Sequence, residues 1–377
     1  MKKLRVGIVG LGHRGRDILM LSRNFECCEI VAACDLYERN WYQQQFRADK
    51  AMSEYFPEAV FYSDYDDMLK NAKLDVVIVE TGADIHAEFC AKALDENINV
   101  LTDIPVVANL QEADRLWKAA MNSKAMISVG ANPNEQKLVV LLKEFYESGK
   151  LGKPYYMEAE YLHWWYFNSS DWVGMTENGN WRALLSPIRY CTHSLGPLLT
   201  VLEEDLRKVS CFGTGQHADE AEYPGVTKDD MTCAQFQTES GVVVRLLRNG
   251  RCRADVQGHN YRIFGTEGYM ERICRMGKEV IRYNSEKENT SLQEIGGEFM
   301  PPAYANNPKA SGHGGMDYAM MDKFFTALLN GAPMPITLKE GLAMTLPGIY
   351  AEESAKRGGA VLTMYYPWDK EWETEIK

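Results

Sequence analysis

The stretch Leu4-Arg5-Val6-Gly7-Ile8-Val9-Gly10-Leu11-Gly12-His13-Arg14-Gly15 decides how the first part of this chain folds. A short β-branched run ends in the spacing Gly-x-Gly-x-x-Gly and leads into helix-like sequence. In that context each glycine has a physical task. Gly10 permits the tight turn, Gly12 lets the backbone approach a pyrophosphate, and Gly15 lets helix pack against strand. The helix opening at His13 and Arg14 aims its first N–H groups and the positive end of its dipole at the phosphates. A second apolar run, Glu29-Ile-Val-Ala-Ala-Cys-Asp35, ends in a carboxylate 20 residues after Gly15. A carboxylate there suits a free ribose diol and repels a 2′-phosphate, so the pattern predicts NAD rather than NADP. The plainer alternative is a turn-rich junction with a surface Asp.

Outward from this stretch the rhythm is β-α-β. DVVIVET, INVLTD and AMISVG are further strand-length apolar runs, continuous rather than alternating, as suits strands covered on both faces. Helix-like segments at 40–55, 84–96 and 110–123 lie between them. The chain changes character near residue 130. Beyond it, aromatic and alternating segments such as KPYYMEAEYLHWWYF, LRKVSCFGTG and NYRIFGTEGYMERI are joined by Gly-containing turns, and TESGVVVRLLRNG reads as part of a hairpin. Helices are predicted over 135–148, 315–329 and 338–356. The fold class is therefore α/β, with an N-terminal Rossmann domain, a doubly wound parallel sheet, over 1–130. A C-terminal α+β substrate-binding and oligomerisation domain with a large, mostly antiparallel sheet follows over 131–377.

With 41 Lys+Arg against 53 Asp+Glu, the formal charge is -12, which repels phosphate backbones and anionic membranes. No nucleic acid partner and no membrane partner are expected, and no apolar run approaches the roughly 18 residues that span a bilayer. The opening MKKLRVGIVGLG is too short and too glycine-rich for a signal peptide and reads as a first strand. Nine cysteines, an odd number with no C-x-x-C spacing, predict reduced thiols, a cytoplasmic location and no metal site.

Further motifs carry a resemblance. Thr81-Gly-Ala-Asp-Ile-His86 and Leu101-Thr-Asp103-Ile104-Pro105 resemble the strand-end segments of the glucose–fructose oxidoreductase/inositol dehydrogenase/MocA (Gfo/Idh/MocA) family. The resemblance implies that Thr81, His86, Asp103 and Pro105 lie along the dinucleotide. It also implies that Ile104 stands where the family's Glu-Lys-Pro carries its lysine. Trp181-Arg182, Tyr190-Cys-Thr-His193-Ser-Leu-Gly-Pro197 and Gly312-His313-Gly-Gly-Met-Asp317 are similar to one branch, the NAD-dependent N-acetylgalactosaminidase-like glycosidases, which also lack that lysine. From that similarity, Glu158, Tyr161, His163, Trp181, Arg182 and His313 are expected to contact substrate, and tightly bound NAD is the implied cofactor.

His193 and Tyr190 are the expected catalytic pair. An imidazole can take and return a proton near neutral pH, and a phenol one turn away can share the same hydroxyl. A buried Tyr/His pair with internal hydrogen bonds is the structural alternative. His86 fits a locally satisfied helix start as well as a cofactor contact, and His313 fits a capping turn as well as a close approach to ligand. In a regular strand Tyr161 and His163 share one face and Glu158 takes the other. Trp164-Trp165-Tyr166-Phe167 suits a core or an interface as well as a sugar. Three functions compete: a glycosidase working by transient C3 oxidation, elimination and re-reduction; a conventional sugar or polyol dehydrogenase; and an NAD-binding regulator. A small carbohydrate substrate and a homo-oligomer, dimer or tetramer, are the expected partners.

Overall fold

The structure, a computed structural model, describes residues 3–45, 48–163, 186–217, 229–249, 258–275, 278–288, 291–296, 304 and 306–377. Trp181, Arg182 and the aromatic run 164–167 lie outside the described residues. The chain divides into two compact units. The first contains residues up to Asn132 and Asn306–Leu342, and the second contains Pro133 onward, Gly179–Ala305 and Ala343–Lys377.

In the first unit six strands form one parallel sheet: β1 (Leu4–Val9), β2 (Cys28–Cys34), β3 (Val60–Tyr62), β4 (Val76–Val79), β5 (Asn99–Thr102) and β6 (Ile127–Val129). Their order is β3-β2-β1-β4-β5-β6. The order reverses between β1 and β4, and a doubly wound sheet binds its ligand at the carboxyl ends of such a switch point. The continuous apolar runs behave as read, and all four residues of β4 are fully buried. The crossover helices start where the sequence supplies caps. Asn109 accepts a hydrogen bond from Glu112 N at 2.8 Å and opens the helix Leu110–Asn122. The helix predicted over 40–55 is instead two short ones, Arg39–Tyr42 and Met52–Tyr55, because the chain turns extended at Gln43.

A single boundary near residue 130 misses one return of the chain. Asn306–Leu342, assigned from sequence to the second domain, belongs to the first unit. Ser128 bridges Thr337 and donates to Ile336 O at 3.2 Å, and the added segment carries the helix Met316–Asn330.

The second unit is built on nine strands: β7 (Pro154–Leu162), β8 (Leu206–Gly213), β9 (Met231–Thr238), β10 (Val243–Asn249), β11 (Gly258–Gly265), β12 (Gly268–Arg275), β13 (Lys278–Ser285), β14 (Gln293–Gly296) and β15 (Leu362–Thr363). They run in the order β14-β13-β12-β11-β7-β10-β9-β8-β15. The pairs are antiparallel except β7 with β10, which is parallel. β9 and β10 form the hairpin that TESGVVVRLL announced, turning at Gly241 with φ +98°. One face of this sheet carries the core residues Met157, Ala159, Tyr161, Val244, Leu246, Tyr261 and Ile263.

Candidate functional site

In the first unit the three glycines divide their tasks as their spacing requires. Gly10 has φ +90°, and a Cβ there would lie 2.6 Å from Glu80 O. A Cβ on Gly15 would sit 1.9 Å from Gly10 O, so the helix His13–Ser22 touches the loop backbone. A Cβ on Gly12 would meet nothing within 4 Å. The loop is thus packed beneath and open above Gly12, the shape a pyrophosphate needs, and these residues fit a dinucleotide. Asp35 stands at the end of β2. One oxygen accepts from Leu11 N at 2.6 Å, the other from Tyr37 N at 2.8 Å and Asn40 Nδ2 at 3.0 Å. Its carboxylate is anchored to the glycine loop. His13 is exposed, with Asp17 3.6 Å away.

Arg14 has a different task from phosphate binding. Its guanidinium lies 3.2 Å from Asp103, 2.7 Å from Asp317 and 3.9 Å from Glu80, so it is committed to carboxylates at the ends of β4, β5 and the returning segment. Asp317 also accepts from Asn132 Nδ2 at 2.7 Å and lies 2.8 Å from His313 Nδ1. Burial pushes Asp317 up, but Arg14 and His313 win and hold it well below the usual carboxylate range. Glu80 goes the other way. Burial and the neighbouring Asp103 push it well above its ordinary value against the pull of Arg14, and its Oε2 is buried without a hydrogen-bond partner. Glu80 is therefore the carboxylate of the group whose charged form the site disfavours.

His313 sits at φ +44° between positive-φ glycines 312, 314 and 315. The loop wraps Asp317: Gly312 O accepts from Asp317 N at 3.2 Å, and a Cβ on Gly312 would lie 2.5 Å from the Asp317 carboxylate. The turn opens a helix and leaves the imidazole more than half exposed. His86 is only 2% exposed, with its ring nitrogens 2.6 Å from Thr81 O and 3.1 Å from Pro105 O. Burial lowers its pKa. It clamps the Thr81 loop to the Pro105 loop instead of presenting a ring to ligand. Asp103 is half-buried, and Ile104 is 2% exposed, packed into the core where the resemblance expects a lysine.

The second unit gathers the rings. Tyr161 on β7 stacks with His193 at 5.2 Å between centroids and 14° between planes. Tyr190 lies 4.7 Å from His193, and His163 meets Tyr161 edge-on at 5.5 Å. The sequence explains the support beneath them. Pro197 in the helix Thr192–Leu199 has no N–H to give His193 O, four residues earlier. The buried Tyr261 hydroxyl donates to that carbonyl at 2.6 Å instead. Burial pushes the Tyr261 phenol up to about 12, so it remains a donor. Gly196 is needed because a Cβ there would lie 2.4 Å from Asn134 Oδ1. Cys191 is fully buried and donates to Met344 O at 3.2 Å.

Glu158 is not part of this group. It lies on the opposite face of β7, between Arg245, 2.7 Å away, and Arg262. Burial raises its pKa, yet the two guanidiniums together hold it below the usual range. It is one rung of a ladder, Arg245–Glu158–Arg262–Glu271–Arg282–Glu294, that crosses the sheet from β10 to β14. Glu158 was expected to contact substrate; its carboxylate is engaged by these two guanidiniums.

Sequence reading missed four residues. Glu80 carries the same signal as Asp35, a carboxylate directly after an apolar strand. Asn132 shows no signal. Arg248 and His259 were legible by parity, because 244, 246 and 248 share a face, as do 259, 261 and 263. Arg248 is 2% exposed, donates to Tyr190 O and Tyr161 O, both at 3.1 Å, and its guanidinium carbon is 3.9 Å from the Tyr161 ring centre.

Comparison with known proteins agrees with this fold. A family model described as "Oxidoreductase family, NAD-binding Rossmann fold" matches residues 4–131, and one described as "GFO/IDH/MocA C-terminal domain" matches 139–271. The inositol 2-dehydrogenase of Salmonella paratyphi B is 32% identical over 153 residues, 40% of this chain; the match spans 44% of that relative's length, less than half. The alpha-N-acetylgalactosaminidase of Shewanella oneidensis is 22% identical over 391 residues, 94% of this chain and 83% of that protein. The solved structure of scyllo-inositol dehydrogenase from Lactobacillus casei with NAD(H) and scyllo-inositol is similar in fold. Its TM-score is 0.72 at 16% identity, over 96% of this chain and 99% of that one.

Proposed function

The chain belongs to the Gfo/Idh/MocA oxidoreductase family, and from that premise we propose that it is a sugar-acting enzyme that cleaves a glycoside by transient oxidation at C3. The observation that carries this reading is the pairing of two proton-transfer groups, His193 and Tyr190, with Tyr161 of the second sheet stacked on His193. The loop Gly10–Gly15 and Asp35 would hold NAD, which when bound supplies an acceptor for a hydride and can return it, as a reaction with no net redox change requires.

His193, with Tyr190 beside it, takes the proton of the C3 hydroxyl and later gives it back. With a carbonyl at C3, the proton on C2 becomes acidic and the group at C1 can leave by elimination. Ile104 supports this reading over simple dehydrogenation, because the ammonium of the family's dehydrogenases is replaced there by a buried alkyl chain. NAD bound tightly through the whole cycle is part of the proposal. So is assembly of two or more copies through the charged face of the second sheet.

Cleavage of para-nitrophenyl glycosides in D2O tests it. The expected outcome is catalytic cleavage without accumulating NADH and with deuterium at C2 of the product. Paired-carboxylate hydrolysis would leave C2 untouched. A second reading, a conventional sugar or polyol dehydrogenase, is favoured by the inositol 2-dehydrogenase relative. NADH growing in proportion to an oxidised sugar would establish it.

A further inference from the structure

We infer that His259 handles the second proton of this reaction, the one on C2, while His193 with Tyr190 handles the hydroxyl proton. The inference rests on the oxidation–elimination reading above. It starts from strand register. β11, β7 and β10 are neighbours at the centre of the sheet, and His259, Tyr161 and Arg248 pair across them at one level. All three side chains share the core face by parity with Tyr261, Ala159 and Leu246. Tyr161 is fixed between them, with the His259 ring 3.8 Å away and the Arg248 guanidinium carbon 3.9 Å away. His193 stacks on the same tyrosine, and its ring centre stands 5.8 Å from that of His259.

Two imidazoles beside one tyrosine match a particular chemical demand. The base that takes the C3 hydroxyl proton carries it until the carbonyl is reduced again. It is therefore occupied when the C2 proton must leave, and a second acceptor is required. The two protons belong to neighbouring carbons about 1.5 Å apart, one on C2 itself and one on the oxygen of C3, and a base reaches its proton from about 2.6–3.2 Å. Two imidazoles with ring centres 5.8 Å apart can each reach one of the two positions from the same side of the sugar. Tyr161 is 5% exposed and holds both in place, a positioning residue.

In the step, the C2–H bond breaks and its proton passes to a ring nitrogen of His259. The electron pair forms the C1–C2 double bond while the C1–O bond breaks, and its electrons leave with the aglycone oxygen. One water then supplies a proton to that oxygen and a hydroxyl to C1, and His259, whose ring proton has exchanged with solvent, protonates C2. Hydrogen, oxygen and charge balance, and the sugar leaves at its original oxidation level once the C3 carbonyl is reduced.

The test uses the full chain loaded with NAD and whichever para-nitrophenyl hexoside or N-acetylhexosaminide the wild type cleaves. His259→Ala and His259→Gln are compared with His193→Ala for dinucleotide reduction in a single turnover, deuterium at C2, and cleavage. Melting temperature and NAD affinity report whether each variant is folded. The His259 variants are expected to reduce the dinucleotide within about threefold of wild type while exchange and cleavage fall about 10²–10⁴-fold. Added imidazole should restore exchange to His259→Ala, which a packing defect would not allow. His193→Ala should lose the reduction step itself. Wild-type exchange rates in a folded, NAD-loaded His259→Ala would overturn this inference alone. No C2 exchange in the wild type would overturn the parent reading and this inference with it.

Discussion

Glu80 shows at the scale of one residue how burial sets chemistry. Its side chain is 2% exposed, and it lies among Asp103, Asp317 and a single guanidinium, Arg14. Three carboxylates cannot all ionise against one cation in a desolvated cluster, so the one with an unpartnered oxygen keeps its proton. An unfolded Glu titrates near about 4.3. Above that pH the unfolded chain releases a proton that the folded chain retains, so this residue costs stability as pH rises, by up to about 1.4 kcal/mol per pH unit. Glu80→Gln removes that cost and can keep the hydrogen bond toward Asp103. The melting temperature of the variant relative to wild type is expected to rise as pH increases above about 4. An unchanged difference across that range would show that Glu80 ionises when folded. Asp317 has the opposite sign: its stabilising contribution is complete at neutral pH and is lost as pH falls below about 4, toward its depressed folded value.

At the scale of the element, the glycine loop makes two substitutions diverge. A methyl group on Gly12 meets open space, so Gly12→Ala should shift stability by no more than about 0.5 kcal/mol. It should nonetheless weaken NAD binding at least about tenfold, because that space is where the pyrophosphate would lie. A methyl group on Gly15 would lie within 1.9 Å of a backbone oxygen that cannot move without distorting β1 and its turn. Gly15→Ala should cost about 3 kcal/mol or more in chemical denaturation. Equal effects of the two changes, on stability or on NAD affinity, would contradict this division of labour. The helix Thr192–Leu199 follows similar logic: Gly196 permits a close approach and Pro197 frees the carbonyl that Tyr261 takes. Much of the Tyr190–Pro197 motif thus serves to hold His193 rather than to react.

On the scale of the whole molecule, the second sheet turns one face to its core and the other to a ladder of alternating charge. Arg245, Arg262 and Arg282 alternate with Glu158, Glu271 and Glu294 from strand to strand. A two-fold axis through such a face sets opposite charges against each other, so a second copy of this chain is the partner it suits. Light scattering should give a multiple of 42.8 kDa. The mass should fall in concentrated salt, which screens half-exposed pairs. A monomer mass at micromolar concentration and low salt would reject the assembly. Among the described residues no helix is long and apolar enough to cross a membrane.

What the sequence determined by itself is local. Gly10–Gly15 with Asp35 specified the dinucleotide cradle, continuous apolar runs specified the parallel sheet, and alternation specified the second sheet, because backbone sterics and short-range periodicity act over a few residues. Tertiary structure decided what depends on distant partners. Arg14 meets Asp317 across 303 positions of chain, which makes its side chain the counter-ion of an acidic cluster. Register across β11, β7 and β10 placed His259 and Arg248 on either side of Tyr161. A side chain's chemistry follows from the charges and rings within a few ångströms of it, and only the folded chain chooses those neighbours.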